Sequence, residues 1–314
     1  MILSAYVMKG RSQAIAITTV FALLSLLLPP FVILSSAVVA LITLRKGRTE
    51  GFIVIAIAAI AGIILGELAA GIPYYAITYF LIQWLPIWLA ATILRETGQP
   101  LRAISFLGFV GIMAIILFYL FTDSPAAEWV VILENVLKPV IEMGEKADQS
   151  ILLENLGVIS HYMSGIVVMS SLASLSLALF LGRYWQASLY NPGGFRSEFL
   201  ALRMPKNIAL FTIVVVVFSF LGLGFLSELA GNVMLPLLVL YLIAGVSVLH
   251  LLLSTLKAKR FLLMGMYLML FIIPHILPPI ILVGFRIHGS IYESIFGLRT
   301  IVRQRVLNDG CNSS

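Results

Sequence analysis

Apolar runs of about 20 residues recur along this chain, and they limit its fold more than any other feature. A helix of that length matches the roughly 30 Å hydrocarbon core of a bilayer. Hydrophobic residues make up 61% of the chain and charged residues 11%, whereas a soluble domain carries about 25% charged residues. Because backbone groups in lipid must be paired internally, the runs predict an all-α fold, a polytopic transmembrane helix bundle.

Six segments read directly as single spans, while the two ends of the chain are ambiguous. The six are Gly51–Ala69, Tyr74–Leu94, Leu101–Phe121, Gly157–Leu181, Asn207–Leu226 and Asn232–Ser254. Ser12–Leu44 and Arg260–Ile301 are each too long for one span and short for two, and each contains a Pro-Pro pair. If the pairs are turns, the chain has about ten spans, and if they are kinks it has eight.

The distribution of Lys and Arg favours ten spans, because basic residues concentrate in cytoplasmic loops. With both Pro-Pro pairs as outer turns, nearly all basic residues fall on one side, together with both termini and a polar tail at residues 302–314. The second proline of a pair also forces its predecessor out of the α region, which suits a turn. Phe31–Leu44 is short for a span, so it is either tilted or re-entrant. We therefore predict a multi-pass protein of the bacterial inner membrane with cytoplasmic termini.

Two polar segments stand between the spans. Thr122–Asn155 holds half of the acidic residues and an apolar stripe at helical spacing, which predicts an external segment with one amphipathic helix on the outer surface. This external amphipathic segment either caps the bundle or acts as a lid. Residues 182–206 form a predicted cytoplasmic interfacial loop, with a turn at Asn-Pro-Gly-Gly and a short helix after it. This loop either anchors the chain in the bilayer or docks a cytoplasmic or membrane protein partner. The residues concerned are Tyr184, Trp185, Tyr190, Arg196 and Arg203.

No catalytic motif is present, so the sequence predicts neither an enzyme nor a cofactor. The single cysteine, Cys311, lies in the tail and indicates no metal cluster. The net charge of +6 lies beside the spans, which indicates lipid headgroups rather than nucleic acid as the partner. Close glycines in Gly222–Gly231 are interpreted as helix-packing residues.

Ionisable residues near or within spans are costly there, so they are the candidates for ligand binding. Four lie near the predicted outer ends of their helices and could line one vestibule or stand independently at the headgroup level. These are Glu67, His161, Glu228 and His275. Arg286 lies within the last predicted span, with His288 and Glu293 beyond it. It either packs against carbonyls and snorkels, or binds an anionic group inside the bundle, where the flanking Gly284 and Gly289 would let neighbouring helices come close.

Three stretches resemble the YybS-like family of bacterial membrane proteins, a domain-of-unknown-function family, and the second resembles its proteobacterial branch. They are "ALITLRKGRTEGFIVIAIAAIAGIILG" (Ala40–Gly66), "GRYWQASLYNPGGFRSEFLALR" (Gly182–Arg203) and "ILVGFRIHGSIYESIFGLR" (Ile281–Arg299). The chain is more distantly similar to the substrate-binding S components of energy-coupling-factor vitamin transporters. That second resemblance implies small-molecule binding from outside and a separate ATPase. The function expected is a small-molecule binding or transport component without its own ATPase, and the alternative is a non-transporting scaffold for envelope assembly or regulation.

Overall fold

The computed structural model describes residues 2–70, 74–143, 146–256 and 258–286, and all regular structure in these residues is helical. The α-helices are α1 Ile2–Val7, α2 Arg11–Leu24, α3 Phe31–Lys46, α4 Arg48–Ala70, α5 Tyr74–Tyr79, α6 Leu85–Thr97, α7 Pro100–Phe121, α8 Pro125–Met143, α9 Lys146–Ser160, α10 Met163–Tyr190, α11 Gly194–Leu200, α12 Lys206–Phe220, α13 Phe225–Ser254, α14 Lys259–Ile272 and α15 Leu277–Arg286. The all-α class is thereby confirmed.

A π-helical turn at Phe80–Trp84 joins α5 to α6 in one continuous helical segment. In this turn the N–H of Leu85 bonds to the carbonyl of Phe80, one residue further back than in an α-helix. Pro86 follows at once, near the start of α6. Proline has no N–H to donate, so the wider turn accommodates it without ending the span.

The chain forms two compact units. The first consists of Met1–Phe199 with Val215–Val239, and the second consists of Leu200–Val214 with Leu240–Ser314. Helices α12 and α13 therefore contribute residues to both units. The sequence predicts a single membrane domain over residues 1–314 and contains no signal for this division.

Five helical segments of the described residues are long and apolar enough to cross a membrane. They are Arg48–Leu68, Tyr75–Thr97, Pro100–Phe121, Met163–Tyr190 and Phe225–Ser254. Each matches one of the spans read directly from the sequence. The sixth, Asn207–Leu226, corresponds to α12, whose 15 residues give only about 22 Å of helix. The prediction of about ten spans is therefore not confirmed.

The first Pro-Pro pair lies in a turn, as predicted. Helix α2 ends at Leu24, and α3 begins at Phe31, directly after Pro29 and Pro30. Helix α3 is then buried at every residue from Ser35 to Leu44 and packs against α2, α4, α6 and α10. A helix that is buried on all sides lies inside a bundle.

The second Pro-Pro pair begins a helix and does not form the turn itself. Helix α14 ends at Ile272, a 3₁₀ turn follows at Pro274–Ile276, and Pro278 and Pro279 lie in the first turn of α15. The first N–H groups of a helix have no intrahelical acceptor, so proline loses little there. The prediction of a helix break is confirmed, but its position is a few residues earlier than predicted.

Basic side chains converge at one end of the first unit, where α3 and α6 end and α4 begins. The guanidinium of Arg95 donates to the carbonyl of Leu44 at 2.6 Å, and the indole of Trp88 donates to the carbonyl of Arg48 at 2.8 Å. Arg11, at the start of α2, forms an ion pair with Glu50. We call this the basic end, and we call the opposite end, where α7 ends and α10 begins, the far end.

Three local predictions differ from the structure. Residues 182–190 continue helix α10 to Tyr190 and are not part of a loop, although the Asn-Pro-Gly-Gly turn and the short helix after it are present. Thr122–Asn155 contains two helices, α8 and much of α9, in place of one. Gly222 and Gly224 do not pack a neighbouring helix of the described chain, because a Cβ at either position would meet none of the described atoms within 4 Å. Their φ angles of +67° and +56° form the break between α12 and α13.

In the second unit, helices α13 and α15 approach each other at two glycines. A Cβ on Gly245 would lie 2.0 Å from the carbonyl oxygen of Ile280, and a Cβ on Gly284 would lie 2.0 Å from that of Tyr241. Only glycine allows backbones this close. The prediction that small residues let a neighbouring helix approach is confirmed for Gly284, whereas Gly289 lies outside the described residues.

Candidate functional site

A polar cluster lies at the far end of the first unit and consists of Tyr119, His161, Glu228 and Asn232 (the far-end cluster). Glu228, in the first turn of α13, accepts a hydrogen bond from the hydroxyl of Tyr119 on α7 at 2.8 Å. Its other carboxylate oxygen lies 2.7 Å from Nδ1 of His161. The side chain of His161 is 54% exposed and that of Glu228 is 24% exposed, so the carboxylate can be reached from the surface.

Asn232 fixes the geometry of this cluster from a buried position. Its side chain is fully buried, and its amide nitrogen lies within hydrogen-bond distance of the Tyr119 hydroxyl and of the carbonyls of His161 and Glu228. Its amide oxygen accepts the backbone N–H of Gly165 at 2.7 Å. A Cβ at Gly165 would lie 2.6 Å from the carbonyl oxygen of Asn232, so the absence of a side chain allows this contact between α10 and α13.

Helix α8 lies next to the same end of α10. The indole N–H of Trp129 donates to the hydroxyl of Ser164 at 2.8 Å, one turn along from His161. The ring of Trp129 also contacts that of Phe118, with centroids 6.2 Å apart. The external amphipathic segment predicted from the sequence is thus in contact with α10, which begins directly after the turn that contains His161.

The other predicted ligand-binding residues are not part of this cluster. Glu67 is exposed near the end of α4 and makes no ion pair within the part of the chain that the structure describes. His275 is exposed in the 3₁₀ turn of the second unit. The side chain of Arg286 lies outside the described residues, as do His288 and Glu293. Of the four residues predicted to share a vestibule, the structure brings together His161 and Glu228.

A second polar site lies at the basic end of the first unit, around a cavity of about 320 Å³. Arg183 on α10 forms a bidentate ion pair with Glu198 on α11 and donates to the amide oxygen of Gln186 at 2.7 Å. Arg95 and Gly98, at the end of α6, form another part of the wall. None of these residues was predicted from the sequence as part of a site, because no spacing rule relates α6, α10 and α11.

The predicted interface residues fall into different environments. Tyr184 and Tyr190 are about half exposed, and the guanidinium of Arg45 lies 3.9 Å from the ring centroid of Tyr190. Trp185 is only 8% exposed, which differs from the interfacial position predicted for it. Trp185 lies on a face of α10 that the protein covers, whereas Tyr184 next to it lies on an exposed face.

The two predicted interface arginines also differ. Arg196 is exposed on α11. Arg203 instead donates to the carbonyls of Leu200 and Leu202 and to the hydroxyl of Ser247, all within the second unit. Its guanidinium donates to carbonyls at the end of α11 and just after it, so it does not extend towards headgroups as predicted.

A family model described as "Predicted membrane protein (DUF2232)" matches residues 16–286. The chain belongs to this family. Membership of the DUF2232 family agrees with the five long apolar helices and makes the chain a predicted membrane protein. No curated protein and no solved structure shows significant similarity to the chain. The YybS-like affiliation and the likeness to energy-coupling-factor S components stay predictions.

Metal binding has no support in the described residues. Among residues 2–70, 74–143, 146–256 and 258–286, no three His, Cys, Asp or Glu side chains come together as they would around a metal ion. The far-end cluster offers hydrogen-bond donors and one carboxylate, so the chemistry available to it is recognition of a polar group or proton exchange.

Proposed function

We propose that the protein is a membrane-embedded component that binds or transports a small polar molecule, recognised at the far-end cluster. The observation that carries this proposal is the carboxylate of Glu228, which is held between Tyr119 and His161 and is still reachable from the surface. An ionisable side chain near the hydrocarbon is costly, and such residues mark ligand or ion pathways in membrane proteins.

The chemistry of the cluster favours a ligand that donates hydrogen bonds, such as an amine. An ionised carboxylate can only accept, and Tyr119 occupies one oxygen from a buried position. The ring of His161 occupies the other oxygen and is more than half exposed, so it can move aside at little cost. A donor on the ligand would then replace the imidazole.

The proposal includes an orientation, with the basic end in the cytoplasm and the far end outside. It is supported by the positive-inside rule and by the basic side chains that converge where α3 and α6 end. Reporter fusions after Ser124 and after Pro192, in a bacterial inner membrane, test it. An external reporter after Ser124 and an internal one after Pro192 are expected, and the reverse pattern contradicts the orientation.

The binding test compares Glu228→Gln with Glu67→Gln in the purified full chain. Glutamine keeps the shape of the side chain and removes its charge, and Glu67 is an exposed carboxylate outside the cluster. Polyamines and amino-acid amides are screened for thermal stabilisation of the protein, alongside mass spectrometry of copurified molecules. A stabilising amine should lose its effect in Glu228→Gln and keep it in Glu67→Gln. Equal effects in both variants would rule out the cluster as the binding site.

A scaffold function is the alternative, and one observation favours it. Val131, Ile132 and Val136 are exposed on α8, so its apolar face is not covered by the described chain. A scaffold would retain a copurifying membrane protein that Val136→Glu releases, and no amine would stabilise it. The region 182–206, with Arg196 exposed, is the corresponding candidate for a cytoplasmic partner. A YybS-like affiliation is compatible with either function, whereas a likeness to S components favours binding.

A further inference from the structure

Both basic and acidic side chains line the cavity at the basic end of the first unit. The wall includes Leu44, Arg95, Gly98, Arg183, Gln186 and Glu198. They come from the ends of α3, α6 and α10 and from α11. The volume of about 320 Å³ is at the lower end of the range of small-molecule sites.

The negative charge in this wall is already neutralised. Both carboxylate oxygens of Glu198 accept from Arg183, through Nε at 2.8 Å and through Nη2. The remaining terminal nitrogen of Arg183 donates to Gln186. The side chain of Arg183 is only 15% exposed, so this pair is protected from solvent. Glu198 is therefore not available to neutralise a second cation.

Arg95 is the second positively charged side chain in the cavity wall, and it has more N–H donors than it uses among the described residues. Its guanidinium has five N–H groups, and among the residues that the structure describes it makes one hydrogen bond, to the carbonyl of Leu44. Within the described ranges of the chain, Arg95 forms no ion pair. A Cβ at Gly47 would lie 3.9 Å from its Cζ, so the basic turn between α3 and α4 runs directly beside it. The local field at the cavity is therefore positive.

We infer that this cavity binds a phosphate group through Arg95. A planar guanidinium matches two phosphate oxygens, and the neighbouring positive field favours an anion of high charge. The phosphate could belong to an anionic phospholipid, since the cavity lies at one end of the bundle, or to a soluble phosphate compound. Both sources present the same phosphate group to Arg95, and the experiment distinguishes between them. This inference is independent of the far-end cluster.

Gly98 allows a test that removes no existing contact. It ends α6 with φ +64°, and an added Cβ would meet nothing within 4 Å. Asn and Asp are the side chains that best tolerate this conformation. Gly98→Asp therefore adds a negative charge to the cavity wall, and Gly98→Asn adds the same volume without charge. Arg95→Gln and, as its control, Arg102→Gln at the exposed start of α7 form a second pair.

The assay uses the full chain in two settings. Native mass spectrometry counts lipids retained after reconstitution into phosphatidylglycerol or phosphatidylcholine nanodiscs, and thermal unfolding in neutral detergent is followed with added phosphate or pyrophosphate. Retention of phosphatidylglycerol alone indicates a lipid headgroup, and stabilisation by millimolar pyrophosphate indicates a soluble ligand. In either case Gly98→Asp and Arg95→Gln should weaken binding about tenfold or more, and the two controls should not.

Two results would overturn the inference. One is equal binding by Gly98→Asp and Gly98→Asn, which would show that charge in the cavity has no effect. The other is the absence of both phosphatidylglycerol preference and pyrophosphate stabilisation in the unchanged protein. Arg95→Gln also loses the hydrogen bond to the carbonyl of Leu44, so this variant could bind less because it is less stable. The two Gly98 variants leave that bond in place, so their comparison isolates the effect of charge.

Discussion

Helix α10 crosses the central helix α3 at Gly182, and this crossing gives a quantitative prediction. A Cβ added at Gly182 would lie 2.7 Å from the Cβ of Ala40 and 2.9 Å from the carbonyl oxygen of Ala37. It would also lie 3.1 Å from the backbone nitrogen of Leu41. These atoms belong to a buried helix and not to flexible side chains, so Gly182→Ala cannot be accommodated by a rotamer change.

The cost follows from the distance that the helices must move. Carbon atoms in contact prefer a separation of about 3.5–4.0 Å, so the two helices must part by about 1 Å. A gap of that size loses roughly a quarter to a half of the dispersion energy along the contact. Overpacking costs about 1–3 kcal/mol, and the better helix propensity of alanine returns about 0.5–1 kcal/mol. We expect a net loss of about 1–2 kcal/mol in the free energy of unfolding.

The measurement is an SDS titration of the purified protein in mixed micelles, followed by tryptophan fluorescence. Gly157→Ala is the matched control, because it is the same chemical change in the helix α9 and its Cβ would meet nothing within 4 Å. That variant should be neutral or slightly more stable. If Gly182→Ala were as stable as Gly157→Ala, the close crossing of α3 and α10 would be refuted.

Two further predictions concern buried polar contacts. Asn232→Leu leaves the N–H of Gly165 unpaired and should lower the free energy of unfolding by about 1–3 kcal/mol in the same titration, and an unchanged value would contradict the role given to that amide. Arg183→Gln breaks the ion pair with Glu198 and should speed amide hydrogen exchange in α11 by about fivefold, corresponding to about 1 kcal/mol, without affecting α7. Unchanged exchange in α11 would show that its aromatic contacts alone hold it.

Hydropathy predicts the long helices because their physical cause is local. A run such as Pro100–Phe121 can satisfy its backbone in lipid only as a helix, whatever the rest of the chain does. The turn at Pro29 and Pro30 was also predictable, since proline restricts its own backbone and that of its predecessor. In both cases the information lies within a few residues of the feature.

The break between α12 and α13 could not be placed by the same means. Leu221 and Leu223 continue the apolar run beyond Phe220, so hydropathy extends the span to Leu226. The helix ends because Gly222 and Gly224 adopt left-handed backbone angles. Nothing in a hydropathy profile distinguishes such glycines from those that pack helices together.

The candidate sites depend on contacts between distant parts of the chain. Tyr119 and Glu228 are 109 positions apart, and Arg183 meets Glu198 across a turn. A single sequence identifies Glu228 as a costly residue near a span, but it cannot name Tyr119 as its partner. Asn232 could have attracted attention as a lone amide near the start of an apolar run, since such a residue requires partners in lipid.

Helix α4 shows why hydropathy patterns do not reveal which residues of a membrane bundle are buried. Its large side chains Ile60, Ile64 and Leu68 are exposed at spacings of four residues, whereas Val54 and Ala58 are buried. Both faces are apolar, so the alternation of polar and apolar residues that marks the buried face of a soluble helix is absent. Burial in a bilayer protein depends on close packing between helices and not on hydropathy, because lipid solvates apolar groups as well as the protein does, and Ile55 on the same helix is fully buried. A pattern of small residues, such as Gly51 and Ala58, is therefore a better guide to the interior than hydropathy.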